Sequence, residues 1–151
     1  MRKIQLINGG SALVDDIDFN ELNKFKWHLT AGYASRTARS NGKGFTVLMH
    51  RVIVKPGHGQ RIDHISGNKL DNRRSNLRLA TNQQNLCNRG KTQKNTSGFK
   101  GVFWSYPCAK WRAQIAVNGH PKHLGVFDNK EAAYFAYRRA AKKYHGQFAH
   151  L

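Results

Sequence analysis

Residues 62–85 read IDHISGNKLDNRRSNLRLATNQQN, and the fold of the chain turns on how this stretch is read. Gln60 to Asp63 reads as a short strand that delivers Asp63 and His64 to its end. Ser66-Gly67-Asn68 breaks the strand, Leu70 to Ser75 is a polar loop, and Leu77-Arg78-Leu79 fits a second strand. Thr81 and Gln84 have the T-x-x-Q spacing of a capping box, so a helix starts at Thr81. Gly90 is placed to end it. Strand, loop, strand and helix in so short a span make a small hairpin packed against a helix. The stretch holds an acid, an imidazole and two amides, Asn76 and Asn85, interleaved with arginines. That is the chemistry a metal-assisted attack on a phosphodiester requires. Arg73, Arg74 and Arg78 read as phosphate clamps and not as reacting groups.

The charge of the whole chain points the same way. Among 151 residues, 26 Lys+Arg stand against 8 Asp+Glu, a formal charge of +18. Basic residues outnumber acidic ones in each of residues 1–54, 55–95 and 96–151, so the excess is not a single tail. A field of this kind repels itself and suits a polyanion, which makes nucleic acid the expected partner. The only two cysteines, Cys87 and Cys108, make no CxxC pair and cannot build a four-thiolate zinc site. Reduced thiols, no long apolar run and no signal-peptide core lead to the expectation of a soluble, cytoplasmic protein.

Towards the N-terminus, Ile4 and Leu6 are separated from Leu13-Val14 by Asn8-Gly9-Gly10, the pattern of a hairpin. Asp16 or Asp18 is placed to cap a short helix whose apolar face is Ile17, Phe19, Leu22 and Phe25. Strands are expected at Trp27 to Leu29, Tyr33 to Ser35 and Phe45 to Met49, with Thr37 to Gly44 a mobile turn. His50, beside Val52-Ile53-Val54, reads as a structural histidine.

Towards the C-terminus, Arg89 to Ser97 is a polar, basic linker, with Arg89, Lys91 and Lys94 placed to lie along a nucleic-acid backbone. A strand begins at Phe99. Lys110 to Val117 alternates with a period of two, sending Trp111, Ala113, Ile115 and Val117 one way and Arg112, Gln114 and Ala116 the other. Asn118-Gly119 is a hairpin turn, and Lys122 to Phe127 a third strand. Asp128 and Glu131 are placed to cap a helix from about Asn129 to His145, closed by Gly146. Trp104 and Trp111 read as core.

Two resemblances follow from these residues. The run D-H-x-x-G-N-x-x-D-N-R-x-x-N-L-R with a following Asn on a helix resembles the active-site motif of HNH endonucleases in phage and intron-encoded versions, over about His50 to Asn88. The resemblance implies a ββα-metal fold, with His64 as general base, Asp63 and Asn85 as metal ligands, and Asn76 holding the loop and orienting the His64 ring. Asn85 stands where the better-known pattern has histidine, and oxygen donors favour Mg2+ or Mn2+ over Zn2+. The second resemblance joins S-G-F-K-G-V, K-W-R-A-Q-I, L-G-V-F-D and E-A-A-Y-F-A-Y-R-R-A-A over Ser97 to Ala149. Together they resemble the Apetala (ethylene-response-factor) DNA-binding domain, whose sheet enters the major groove. That implies an outward face of Lys100, Phe103, Ser105, Arg112, Gln114 and His123.

The expected architecture is α+β: a ββα-metal nuclease module with extra antiparallel strands over 1–90 (core 58–90), a linker over 91–96, and a three-stranded antiparallel sheet on one helix over 97–151. The expected function is site-selective cleavage of double-stranded DNA by a metal-dependent endonuclease of the homing or nicking type. It would act on DNA as a monomer, a dimer being also compatible, inside a phage-infected cell. A chain ended near Asn95 is expected to keep cleaving with less selectivity. The competing reading is a non-catalytic DNA-binding regulator with a decayed nuclease core, and a further one is an RNA-directed protein.

Overall fold

A computed structural model describes residues 1–151, and the chain divides into two compact units, Met1–Thr81 and Asn82–Leu151. Both are mixed α/β with small antiparallel sheets. No helix is long and apolar enough to cross a membrane.

In the first unit β1 (Arg2–Gln5) pairs antiparallel with β2 (Ser11–Val14), and alternation buries Ile4, Ala12 and Val14. Helix α1 (Asp16–Leu22) follows. Its cap position is Asp15, with no side-chain capping bond, so neither Asp16 nor Asp18 caps it as expected. Asp16 pairs with the N-terminal ammonium, and Asp15 and Asp18 both accept hydrogen bonds from Arg74. Strands β3 (His28–Thr30), β4 (Tyr33–Ser40) and β5 (Lys43–Leu48) form one sheet in that order.

The stretch Thr37 to Gly44, expected as a mobile turn, is instead the outer half of the β4–β5 hairpin, paired as far as Ser40↔Lys43. Only Asn41-Gly42 turns, with φ of 51° and 75°. Both values are positive, as a tight two-residue hairpin turn demands. The segment was hidden in the sequence because it is solvated on both faces and shows no apolar alternation.

Helix α2 (Met49–Val54) takes in the apolar triplet, and Met49, His50 and Ile53 form its buried face. Strand β6 (Arg61–His64) pairs antiparallel with β7 (Leu77–Ala80), with Asp63 opposite Arg78 and His64 opposite Leu77. The loop between them is sewn to β2: Leu13 N donates to Leu70 O and Asn72 N to Leu13 O, both at 2.8 Å. Trp27, fully buried, centres the core beneath with Leu22, Met49, Ile53 and Leu77, and its Nε1 donates to Leu22 O at 2.8 Å.

The second unit opens with α3 (Asn82–Cys87). Residues 95–99, within and beyond the expected linker, are pinned by side chains: Asn95 Nδ2 donates to Phe99 O at 2.8 Å and Ser97 Oγ to Val102 O at 2.7 Å. The sheet is β10 (His120–Phe127), β9 (Lys110–Val117) and β8 (Val102–Ser105) in that order, all antiparallel. Helix α4 (Lys130–His145) lies on it, burying Ala133, Tyr137, Ala140 and Ala141. The cap of α4 is Asn129, whose Oδ1 accepts from Ala132 N at 2.8 Å, while Asp128, expected to cap, pairs with Lys110. Gly101 has φ +73°, and a Cβ there would run into the Tyr137 ring, so this close approach of backbone to helix requires glycine. Trp104 and Trp111 meet edge-to-face at 5.2 Å; Trp111 packs against the core of Val102, Ala113 and Ala133 as expected, while Trp104 is 36% exposed and covers its outer side.

Candidate active site

The deciding stretch folds so that adjacent residues of one strand serve two neighbourhoods. Successive side chains of a strand point to opposite faces. Asp63 meets Arg78 directly across the β6–β7 ladder, with Arg78 Nε and Nη2 donating to its Oδ2 at 2.8 and 2.6 Å. His64 turns to the other side, where α2 and β4 bring His50 and Tyr33 to its ring. The His64 and His50 centroids lie 5.1 Å apart at 87°, and Tyr33 lies 5.3 Å from His50 and 6.0 Å from His64.

Asp63 and His64 are 4% and 5% exposed, so both are withdrawn from bulk water. Burial is the main effect on His64 and pushes its pKa down from the ordinary value. Lys69 adds to that, while Asn72, Asp63 and Asp71 favour the charged ring and partly offset it. The Asn72 side chain is itself buried, 1% exposed, and acts on the ring as a hydrogen-bonding group. The net result is an imidazole that is neutral at pH 7. That is the state a proton acceptor needs.

Asn76 holds the loop from both ends: its Oδ1 accepts from Ser66 N at 2.9 Å and its Nδ2 donates to Asp71 O at 2.7 Å. This fixes the chain on either side of the β6–β7 connection, with Ile65 N donating to Asn76 O at 2.9 Å. Asn85 is half-buried on α3, in the second unit.

The three arginines expected to clamp phosphates are each engaged with a carboxylate of the first unit. Arg73 binds Asp71 and lowers its pKa, Arg74 binds Asp18, and Arg78 binds Asp63. Arg78 is the least available, with its side chain 13% exposed. Arg89, Lys91 and Lys94 are exposed. On the second unit's sheet, cross-strand register sets Phe103 beside Arg112 and Gln114 beside His123 on one face. Arg112 Nε donates to His123 Nδ1 at 3.0 Å. Lys100 departs from the expected outward set: its ammonium turns inward, donates to Cys87 O at 2.6 Å, and has its pKa lowered by burial. Ser105, at the end of β8, is half-buried opposite Lys110.

Two residues beside His64 lie outside the sequence-derived set, His50 and Asn72. His50 carries a signal only in hindsight, as a titratable group on the buried face of an amphipathic turn. Asn72 sits inside the motif, but nothing in its spacing separates it from turn-forming asparagines.

For a divalent cation, no cluster of three His, Cys, Asp or Glu forms. The donors the motif supplies, a carboxylate and an amide, are hard oxygens that fit a cation keeping much of its water, as Mg2+ does.

An HNH endonuclease family model matches residues 47–87. The chain is 38% identical over 91 residues to Protein 3.8 of Escherichia phage T7, covering 60% of this chain and 74% of the relative. It is 32% identical over 135 residues to an uncharacterized HNH endonuclease, L560, of Acanthamoeba polyphaga mimivirus, covering 85% of this chain and 67% of that protein. No solved structure matches significantly. A loop-bracketed Asp-His pair on a β-ribbon, the family match across it and a relative of that family aligned over most of both chains lead to one conclusion: the chain belongs to the HNH endonuclease family.

Proposed function

We propose that the protein is a site-selective, metal-dependent endonuclease acting on double-stranded DNA, of the homing or nicking type. The observation that carries this is His64, a buried imidazole whose pKa is lowered by burial, placed at the end of β6 inside the family motif. His64 takes the proton of the attacking water as the water oxygen bonds to phosphorus. The P–O3′ bond breaks, leaving a 5′-phosphate, and the departing O3′ takes up a proton from solvent water to give the 3′-hydroxyl. When bound, a divalent cation would supply stabilisation of the charge on the phosphate and the departing oxygen. Asp63 and Asn85 are its proposed protein ligands, and the ion is Mg2+ or Mn2+. Arg78 orients the Asp63 carboxylate, and Asn76 keeps the loop between β6 and β7 from shifting the base.

Selectivity is assigned to the second unit, read as an Apetala-type recognition domain over residues 97–151. Support comes from the outward face carrying Phe103, Arg112, Gln114 and His123 with no acidic residue among them. Arg112 and Gln114 carry the groups that read guanine and adenine edges. Exposed Arg89, Lys91 and Lys94 add salt-sensitive phosphate affinity.

One observation favours a second reading, a DNA-binding regulator with a decayed nuclease core: Asp63, a proposed ligand, already holds a cation in Arg78. Supercoiled plasmid incubated with the protein and Mg2+ separates the two. The nuclease reading expects nicked or linear product, and His64→Ala should slow it by about 10²–10⁴-fold. Intact plasmid, or wild-type rates for His64→Ala, would overturn it.

A further inference from the structure

The proposed reaction uses His64 and leaves His50 without a task, yet the two rings are equally withdrawn, at 6% and 5% exposed. Helix α2 carries His50 on its buried face, and its Nδ1 has no hydrogen-bond partner. A structural histidine is ordinarily held in the core by bonds to its ring nitrogens. Here the contacts are made by the ring itself. His50 stands edge-on to His64 at 87°, and Tyr33 is tilted against both, at 55° to His50 and 50° to His64. The three rings close a triangle with sides of 5.1, 5.3 and 6.0 Å. Lys69 caps the outer side of Tyr33, its Nζ 4.4 Å from the ring centroid and donating to Ala31 O at 3.2 Å.

An imidazole turns in a broad torsional well, so a base on a strand end does not by itself keep one plane. A general base must meet its proton at about 2.6–3.2 Å with its lone pair aimed correctly. Rotation of the His64 ring would drive it into His50 on one side or Tyr33 on another. We propose that His50 is a positioning residue: together with Tyr33 it forms an aromatic wall that sets the plane of the His64 imidazole. This rests on the reading of His64 as the base.

The charges around the pair are compatible with that role. Burial, with smaller contributions from His64 and then Arg51, holds the His50 pKa down to about 4, so at pH 7 the wall is neutral. The other charged groups facing His64 are Asp63, Asp71 and Lys69. A neutral ring leaves His64 able to take up a proton without a second cation against its edge. What the wall needs is the shape of a planar ring, not its nitrogens. A phenyl group in the same place should therefore serve.

The test compares His50→Phe and His50→Ala in the full chain, with plasmid and Mg2+, reading kcat and KM separately. Misplacing a reacting group by about an ångström costs on the order of 10²-fold. His50→Ala is expected to lower kcat by up to about that factor while KM stays unchanged, and His50→Phe to restore kcat to within about threefold. Wild-type kcat in His50→Ala overturns the proposal. So does a His50→Phe enzyme as slow as His50→Ala, or a loss confined to KM. Should His50→Ala fail to fold, Tyr33→Leu removes the other side of the wall and carries the same expectations.

A second readout does not need activity. The His64 ring-proton NMR signals, at fixed pH 8, should be displaced by ring currents in wild type and His50→Phe and relax in His50→Ala. If wild type does not cleave, the nuclease reading fails, and these shifts still decide the positioning. Unchanged His64 signals in His50→Ala would refute it.

Discussion

Asp63 and Arg78 stand directly opposite one another on β6 and β7, and Arg78 Nε and Nη2 both donate to one oxygen, Oδ2, at 2.8 and 2.6 Å. Their side chains are 5% and 13% exposed. Breaking such a pair from one side leaves a buried charge uncompensated, which costs about 3–5 kcal/mol. Arg78→Ala is therefore expected to lower the unfolding free energy by about 3 kcal/mol in urea titration. It should leave the salt dependence of DNA binding unchanged. A fall of about one in the salt slope with little loss of stability would instead mark Arg78 as a phosphate contact.

His50 gives stability a pH dependence whose sign follows from its depressed pKa. The unfolded histidine binds a proton near 6.5 and the folded one near 4, so between these values the unfolded state holds more protons. Stability contributed by neutral His50 is complete above pH 6.5 and is lost as pH falls towards 4. After allowance for partial solvent screening the effect is on the order of 2 kcal/mol. Urea midpoints from pH 7 to pH 4 should fall more for wild type than for His50→Phe. Parallel curves would count against this assignment.

The rate of cleavage should follow the neutral fraction of His64. Because burial lowers its pKa, the acid limb of kcat/KM is expected to have its midpoint below the ordinary 6.5 and to be flat by pH 7. Replacing Asp71 with asparagine removes a charge that favours the imidazolium, so the limb should move further to acid. A limb centred above pH 7 would contradict the observed burial.

Ending the chain near Asn95 should slow cleavage as well as weaken selectivity, a larger effect than the simplest modular expectation. Helix α3, which carries Asn85, belongs to the second unit by its contacts. Gln83 donates to Asn118 at 3.1 Å, Lys100 donates to the Cys87 carbonyl at 2.6 Å, and α3 lies against Gly146–Phe148. A six-residue helix does not persist alone in water. Loss of these supports is expected to reduce the rate at least about 10-fold, and Lys100→Met to reproduce part of it. Circular dichroism of the truncated chain should still report a folded first unit. Full activity in it would show that α3 forms without these partners.

On the sheet face, Arg112→Ala should weaken discrimination between DNA sequences by about 1–3 kcal/mol while changing non-specific affinity little. Selection from random duplexes by wild type and variant measures this. Identical selected sequences would remove Arg112 from base reading.

The amino-acid sequence by itself determined the elements whose causes are local. Alternation placed β9, Asn118-Gly119 placed the hairpin after it, and the long run of alanine and aromatic residues placed α4. The Asp63-His64 strand end and its partner Leu77–Ala80 were legible for the same reason. Local signals failed where residues were solvated on both sides, as in Thr37 to Gly44, or where neighbouring side chains competed for one cap, as at Asp15 to Asp18 and Asp128 to Asn129. Only the tertiary structure decided which partner each charge and ring would meet. Arg74 went to Asp18, Lys100 to the Cys87 carbonyl, and His50, on a different element from His64 and well before it in the chain, to the ring of His64. These choices depend on which elements the core around Trp27 and the sheet under Tyr137 bring into range. Distance and burial set an electrostatic or ring contact, and neither is a property of the neighbouring residues in the chain.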